Sequence, residues 1–237
     1  MKTPRILFMA AVLFCVAAFP QTLAAQQGAG AKPNADLGSF VTEILKVEIL
    51  GDVTQLAMWM PFDFYVEASL TDTRQPRDVI EQDMGFLKPY ITMVIQSSIM
   101  QPDGSSMYAG ESEVRKRAVL LAPDGSKIRP VDDPPPMVAA TVAAMKTILA
   151  SEGDAGGANM HVLIFPNKDK KGEPVIDTHK KSKLTLVLNA DGPYEKAVFT
   201  WHTPFDAMVN APPCAKCGEE VSATWTFCAW CGAPLPK

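Results

Sequence analysis

The chain has 237 residues, 47% of them hydrophobic, and a formal net charge of −4. An acidic balance excludes a protein that tracks a nucleic-acid backbone, which needs clustered Lys and Arg. The apolar content excludes a disordered polymer and leaves room for one core of ordinary domain size with a small appendage.

The opening stretch, MKTPRILFMAAVLFCVAAFP, places Lys2 and Arg5 before an uncharged apolar run from Ile6 to Phe19. Pro20 closes the run, and Thr22-Leu23-Ala24-Ala25 supplies small residues at a cleavage position. This pattern predicts a secretory signal peptide over 1–25 and an extracytoplasmic protein, periplasmic or secreted. The run is short of the ~20 apolar residues that span a bilayer. The alternative is an uncleaved signal that holds the protein at the membrane. Cys15 follows the bulky Phe14, where a lipid-bearing cysteine would need a small residue, and is assigned to the signal. Residues 26–36 are polar and rich in Gly and Ala, and form a flexible lead-in.

The first element is ambiguous. Leu37, Phe40, Val41, Ile44 and Leu45 fall at helical spacing, whereas Leu45, Val47 and Ile49 alternate. Pro61 to Leu70 predicts a helix, with Pro where a first turn tolerates it. Arg77 to Phe86 predicts a second. The period then changes: Ile91, Met93 and Ile95 alternate with Thr92, Val94 and Gln96, so 90–100 is a strand. Gln101-Pro102-Asp103-Gly104 turns the chain, and Val114 to Leu121 predicts another strand. Pro123-Asp124-Gly125 is a further turn, with Lys127 to Arg129 returning. Asp132 and Asp133 before three prolines start a helix with the face Val138, Val142, Met145 and Leu149. That helix should stop at Gly153, with Gly156 and Gly157 extending the break. Met160 to Phe165 is apolar on both faces and reads as a central strand. Two alternating strands follow, around Leu184–Leu188 and Ala197–Trp201, joined by a turn at Asp191-Gly192.

Five or six strands joined mostly by turns predict an α+β fold. The expected architecture is a mostly antiparallel sheet with two to four helices packed on it, over residues 37–204. A β-sandwich with a helical insertion is the alternative. A stiff linker at 205–213, marked by Pro212-Pro213, should lead into a small C-terminal unit at 214–237.

That unit carries two pairs, Cys214-x-x-Cys217 and Cys228-x-x-Cys231, each followed by a glycine, Gly218 or Gly232. Two residues between thiols let both sulfurs face one ion from a tight turn. The glycine lets backbone N–H groups approach the sulfurs. Two such pairs give a tetrahedral four-sulfur site with no open position. A segment this small cannot bury enough apolar surface to fold alone, so metal would supply the missing free energy. Trp225, Phe227 and Trp230 are expected as a small apolar cap beside the metal. The other reading is an exposed contact face for a partner.

The stretch CAKCGEEVSATWTFCAWCGAPL resembles the short bacterial zinc-ribbon family, in which C-x-x-C-G is followed by a brief loop, an aromatic residue and C-x-x-C-G-x-P-L. Phe227 stands at the aromatic position and Pro234-Leu235 match the ending. Ala215 and Ala229 stand where the family often has Pro. The resemblance covers about a tenth of the chain. It implies one structural zinc ion held by four thiolates, and no reaction. Two alternatives stay open on the residues alone: two disulfides in any of three pairings, and thiol–disulfide exchange.

Other chemistry is sparse. The three histidines are His161, His179 and His202; His161 and His202 fall in separate strands that could bring them together as a second metal site, or serve as ordinary sheet histidines with local hydrogen bonds. No serine lies in a Gly-x-Ser-x-Gly elbow. Glu111 and Glu113 fall on an expected loop, and Asp132 and Asp133 cap a helix. Lys168 to Lys171 with Lys180, Lys181 and Lys183 form a basic patch, read as solvated charge or as weak contact with an acidic polymer or lipid head groups. Met58 and Met60 in LAMWM are read as core filling, with soft sulfur for Cu(I) as the alternative.

The expectation is therefore an exported, non-catalytic binding or scaffold protein. Its zinc ribbon would dock another protein, with no nucleic-acid partner. The alternatives are a thiol-active or disulfide-stapled periplasmic protein, and an enzyme whose site lies unrecognised in the main domain.

Overall fold

The computed structural model describes residues 36–73, 75–151, 155–169, 171–209 and 212–235. The expected signal peptide, nearly all of the lead-in and the expected helix stop at Gly153 lie outside the described residues. Two antiparallel sheets and six helices among the described residues give an α+β arrangement with no closed barrel.

The larger sheet contains β1 (Leu45–Leu50), β2 (Val53–Met60), β3 (Tyr90–Met100), β4 (Ser106–Tyr108) and β7 (His161–Pro166). β3 is its spine: β2 lies along one edge, and β7 and β4 share the other. The smaller sheet runs β6 (Lys127–Ile128), β5 (Ala118–Leu121), β8 (Ser182–Leu188) and β9 (Ala197–Thr203). Helices α1 (Leu37–Ile44), α2 (Phe62–Asp72), α3 (Arg77–Asp83), α4 (Glu111–Arg117), α5 (Pro136–Ser151) and α6 (Ala155–Ala158) are spread among the strands. The two sheets share one hydrophobic core, as a sandwich would, but the helices are not gathered into one insertion.

An aromatic cluster joins the sheets. Trp59 of β2 meets Trp201 of β9 edge-on, with ring centres 6.2 Å apart. Phe205 stands 5.2 Å from both Trp59 and Phe40, and Phe40 packs edge-on against Phe64 at 5.4 Å. Such pairs combine large apolar burial with favourable quadrupole geometry. The one polar atom of Trp201 is satisfied, since its indole N–H donates to the Ile44 carbonyl at 2.8 Å. The segment expected as linker thus begins inside the core, with Phe205 buried. It continues as a 3-10 turn at Asp206–Met208, whose first N–H groups are accepted by the Glu43 carboxylate at 2.8 and 2.7 Å.

Several expectations are met closely. β3 spans 90–100, α2 begins just after Pro61, and α5 buries Val138, Met145 and Leu149. Others are corrected. The ambiguous 37–49 segment is both elements in turn: α1 capped by the Asp36 side chain at Ser39 N–H, then β1. Val114 to Leu121 is not one strand. Residues 111–117 form α4, with Glu111 and Glu113 in the first turn and Arg115, Lys116 and Arg117 in the last, matching the helix dipole at both ends. The carboxylate pair is therefore helical, not on a loop. Only 118–121 is strand. β7 is not central. It pairs with β3, and its Ile164 carbonyl accepts from Val131 N–H at 2.7 Å, so a loop segment covers its far edge, while Val162 to Phe165 are buried on both faces, which accounts for their apolar character. Gly156 and Gly157 lie in α6 rather than in a break. Met58 and Met60 are buried in β2, a strand that the sequence did not reveal. No helix among the described residues is long and apolar enough to cross a membrane.

Candidate metal centre

The C-terminal unit is built from two turns with the same hydrogen bonding. In the first, Gly218 N–H donates to Cys214 O at 2.8 Å and Cys214 N–H to Glu219 O at 2.9 Å. In the second, Gly232 N–H donates to Cys228 O at 2.9 Å and Cys228 N–H to Ala233 O at 2.8 Å. Gly218 and Gly232 have φ of +77° and +69°, the left-handed region that a side chain disfavours. That reversal points both sulfurs of a turn the same way. A short bridge between Phe227 and Pro234, with Leu235 N–H donating to Thr226 O at 2.9 Å, closes the second turn.

The two turns bring four sulfurs together. The Sγ atoms of Cys214, Cys217, Cys228 and Cys231 all lie within 4.8 Å of one another. Two approaches cross between turns: Cys214 to Cys231 and Cys217 to Cys228, each at 3.7 Å. A bonded disulfide would hold them at ~2.05 Å. A tetrahedron with metal–sulfur bonds of ~2.3 Å has edges of ~3.8 Å, which the two crossing distances match. The thiols are free, and the first cysteine of each pair is buried while the second reaches toward solvent. The four cysteines are thus positioned to hold a metal ion.

Four thiols this close oppose one another's ionisation. The Cys214 thiol is lowered to about 6, chiefly by the backbone N–H groups of Cys217 and Lys216. The Cys217 thiol is lowered by the Glu219 N–H, yet desolvation and the sulfurs of Cys231, Cys214 and Cys228 leave it raised to about 12. A central cation removes that conflict, because it favours the thiolate at every ligand. A tetrahedral ion held by all four cysteines would keep no position for substrate.

The aromatic residues expected as an apolar cap are exposed. Trp225, Phe227 and Trp230 are 37%, 63% and 69% exposed. A unit of this size has no interior large enough to take them, so they stand outward around the turns. The unit is nevertheless tied to the main domain. Asp206 Oδ1 accepts from Ser222 Oγ at 3.0 Å and Ala223 N–H at 2.8 Å, and Lys181 Nζ donates to Trp225 O at 3.2 Å.

The histidines stay apart. His161 lies in β7 of the larger sheet, where Nε2 contacts Ala109 O at 2.8 Å, and His202 is exposed on β9 of the smaller one. The structure instead pairs His179 with Asp63, Nε2 to Oδ1 at 3.2 Å, and Thr178 Oγ1 donates to the other oxygen of Asp63. These residues open on a cavity of about 310 Å³ flanked by Phe62 and Tyr90. The partners are too far apart in sequence for any spacing rule to show the pair. In the basic patch, Lys180 is taken up by Asp177 at 2.8 Å. Among the described residues the four cysteines form the one cluster of potential metal ligands. No protein-family model matches the chain, and no curated protein or solved structure matches it either.

Proposed function

We propose that this is an exported, non-catalytic binding or scaffold protein whose C-terminal ribbon is held by one structural zinc ion. The observation that carries the reading is the four-sulfur cluster with its two crossing distances of 3.7 Å. The soft, closed donor set suits zinc, which has no redox chemistry and accepts four thiolates without strain. Export rests on the charged start and apolar run of residues 1–20. The ribbon presents Trp225, Phe227 and Trp230 to solvent, a rim suited to a protein partner. Elemental analysis of protein isolated from its native compartment tests the metal. The expected result is about one equivalent of zinc per chain, with the thiols reactive only after chelation. Metal-free protein without reactive thiols would replace this reading with disulfides, and iron with visible absorbance would replace zinc with an iron centre.

One observation supports thiol–disulfide exchange as a second reading, the low Cys214 thiol. Its burial opposes attack on a partner disulfide. Rapid turnover of insulin disulfides by metal-free protein would favour exchange.

A further inference from the structure

We propose that the outer face of the smaller sheet binds a small soluble anionic amphiphile, a phosphate or carboxylate head joined to an apolar tail. A cavity of about 580 Å³ opens on this face, within the range of small-ligand sites. Five cationic residues, Lys116, Arg117, Lys127, Arg129 and Lys196, line it against one carboxylate, Asp191. The chain as a whole is acidic, so this concentration of cations runs against its overall charge.

Strand register builds the floor. Val119 of β5 lies opposite Val187 of β8, and Leu121 stands two residues along the same face of β5. Lys127 of β6 lies opposite Leu121, which sets an ammonium at the edge of the apolar strip. Arg129 is fixed there by donating from Nη1 to Lys116 O at 3.0 Å and Ala118 O at 3.3 Å, carbonyls that leave its charge uncancelled. Lys116 is paired with Asp191 at 2.8 Å, which uses up the one lining carboxylate. Lys127 and Lys196 make no ion pair among the described residues.

Arg117 adds to the field. It is buried, and its guanidinium donates only to neutral acceptors: Gln55 Oε1 at 2.6 Å, Ser97 Oγ at 3.1 Å, and the carbonyls of Asn189 and Glu195 at 2.8 and 3.1 Å. No carboxylate hydrogen-bonds to the guanidinium; Glu113 and Asp191 act on it only through space, so its charge is offset in part. An anionic head relieves the mutual repulsion of these cations. The valine–leucine strip and the alkyl stems of the lysines take the tail. A bare inorganic anion would use only half of this surface.

Calorimetric titration of the whole protein with dodecyl phosphate, kept below its micelle concentration, tests the assignment against inorganic phosphate. Dodecyl phosphate should bind at least about tenfold tighter, because its tail covers the apolar strip. The double variant Lys127→Glu/Arg129→Glu changes two exposed side chains and should weaken binding by about tenfold or more, with the wild-type interaction fading as salt rises. Leu121→Thr should weaken dodecyl phosphate and leave inorganic phosphate unchanged. Equal affinity for the two anions, or undiminished binding by the charge-reversed variant with native circular dichroism and unaltered metal content, would overturn the proposal. So would binding to phosphatidylglycerol–phosphatidylcholine vesicles without binding to the monomer, which would make the face a membrane-docking surface.

Discussion

The same residue types do opposite things in the two parts of this molecule. In the main domain, Trp59, Trp201 and Phe205 are fully buried and hold two sheets together. In the ribbon, Trp225, Phe227 and Trp230 face outward. The difference follows from size. A domain with two sheets has an interior into which rings can be withdrawn from water, and their burial stabilises it. The ribbon, described over 212–235, has no such interior, and its order depends on groups that converge on one point. One part is organised by buried area, the other by four sulfurs drawn to one point.

The sharpest way to break that comparison is to take away the ion. Replacing Cys214 or Cys228 by Ser, or adding a strong chelator, should forfeit metal-coupled folding free energy on the order of 10 kcal/mol. Amide exchange should then become fast throughout the ribbon while β3 and β8 stay protected. Simultaneous loss of both regions would show that they are one cooperative unit. The converse experiment is Trp201→Ala, expected to destabilise the main domain by about 3–5 kcal/mol in denaturant titration while metal stoichiometry is unchanged. Within the ribbon, Gly218→Ala isolates the turn. A Cβ there would meet nothing within 4 Å, so the cost is purely that of the left-handed backbone, about 1–2 kcal/mol, read as weaker metal affinity in a competition assay. The smallest effect belongs to Trp230→Ala, which should stay within about 0.5 kcal/mol of wild type in thermal unfolding, as suits an exposed ring. A large loss there would mean that the ring is part of a hidden core.

What the sequence revealed divides along the same line. The four-cysteine cluster was legible because its parts are local: two turns of the same short pattern, each set by a Cys-x-x-Cys-Gly run. β3 was legible because Thr92 and Gln96 punctuate the series Ile91, Met93 and Ile95, and α5 because Val138, Val142, Met145 and Leu149 recur at helical spacing. β2 was not, because Leu56 to Met60 is apolar at every position, so no polar residue marks the alternation of a strand. The 114–121 segment misled for a related reason. Its apolar residues suggest a strand, while Glu111 and Glu113, which open the helix, lie before that segment. The basic cavity escaped notice because Lys116, Lys127 and Lys196 meet only after β5, β6 and β8 have paired, and the acidic total charge hides them.

Two carboxylates set the mechanical character of the junction. Glu43, near the end of α1, grips the turn at Asp206–Met208, and Asp206 in turn grips Ser222 and Ala223 at the root of the ribbon. The appendage is therefore strutted rather than leashed. A load applied to its rings is passed along this pair of acid side chains to the first helix, and so into the body of the protein.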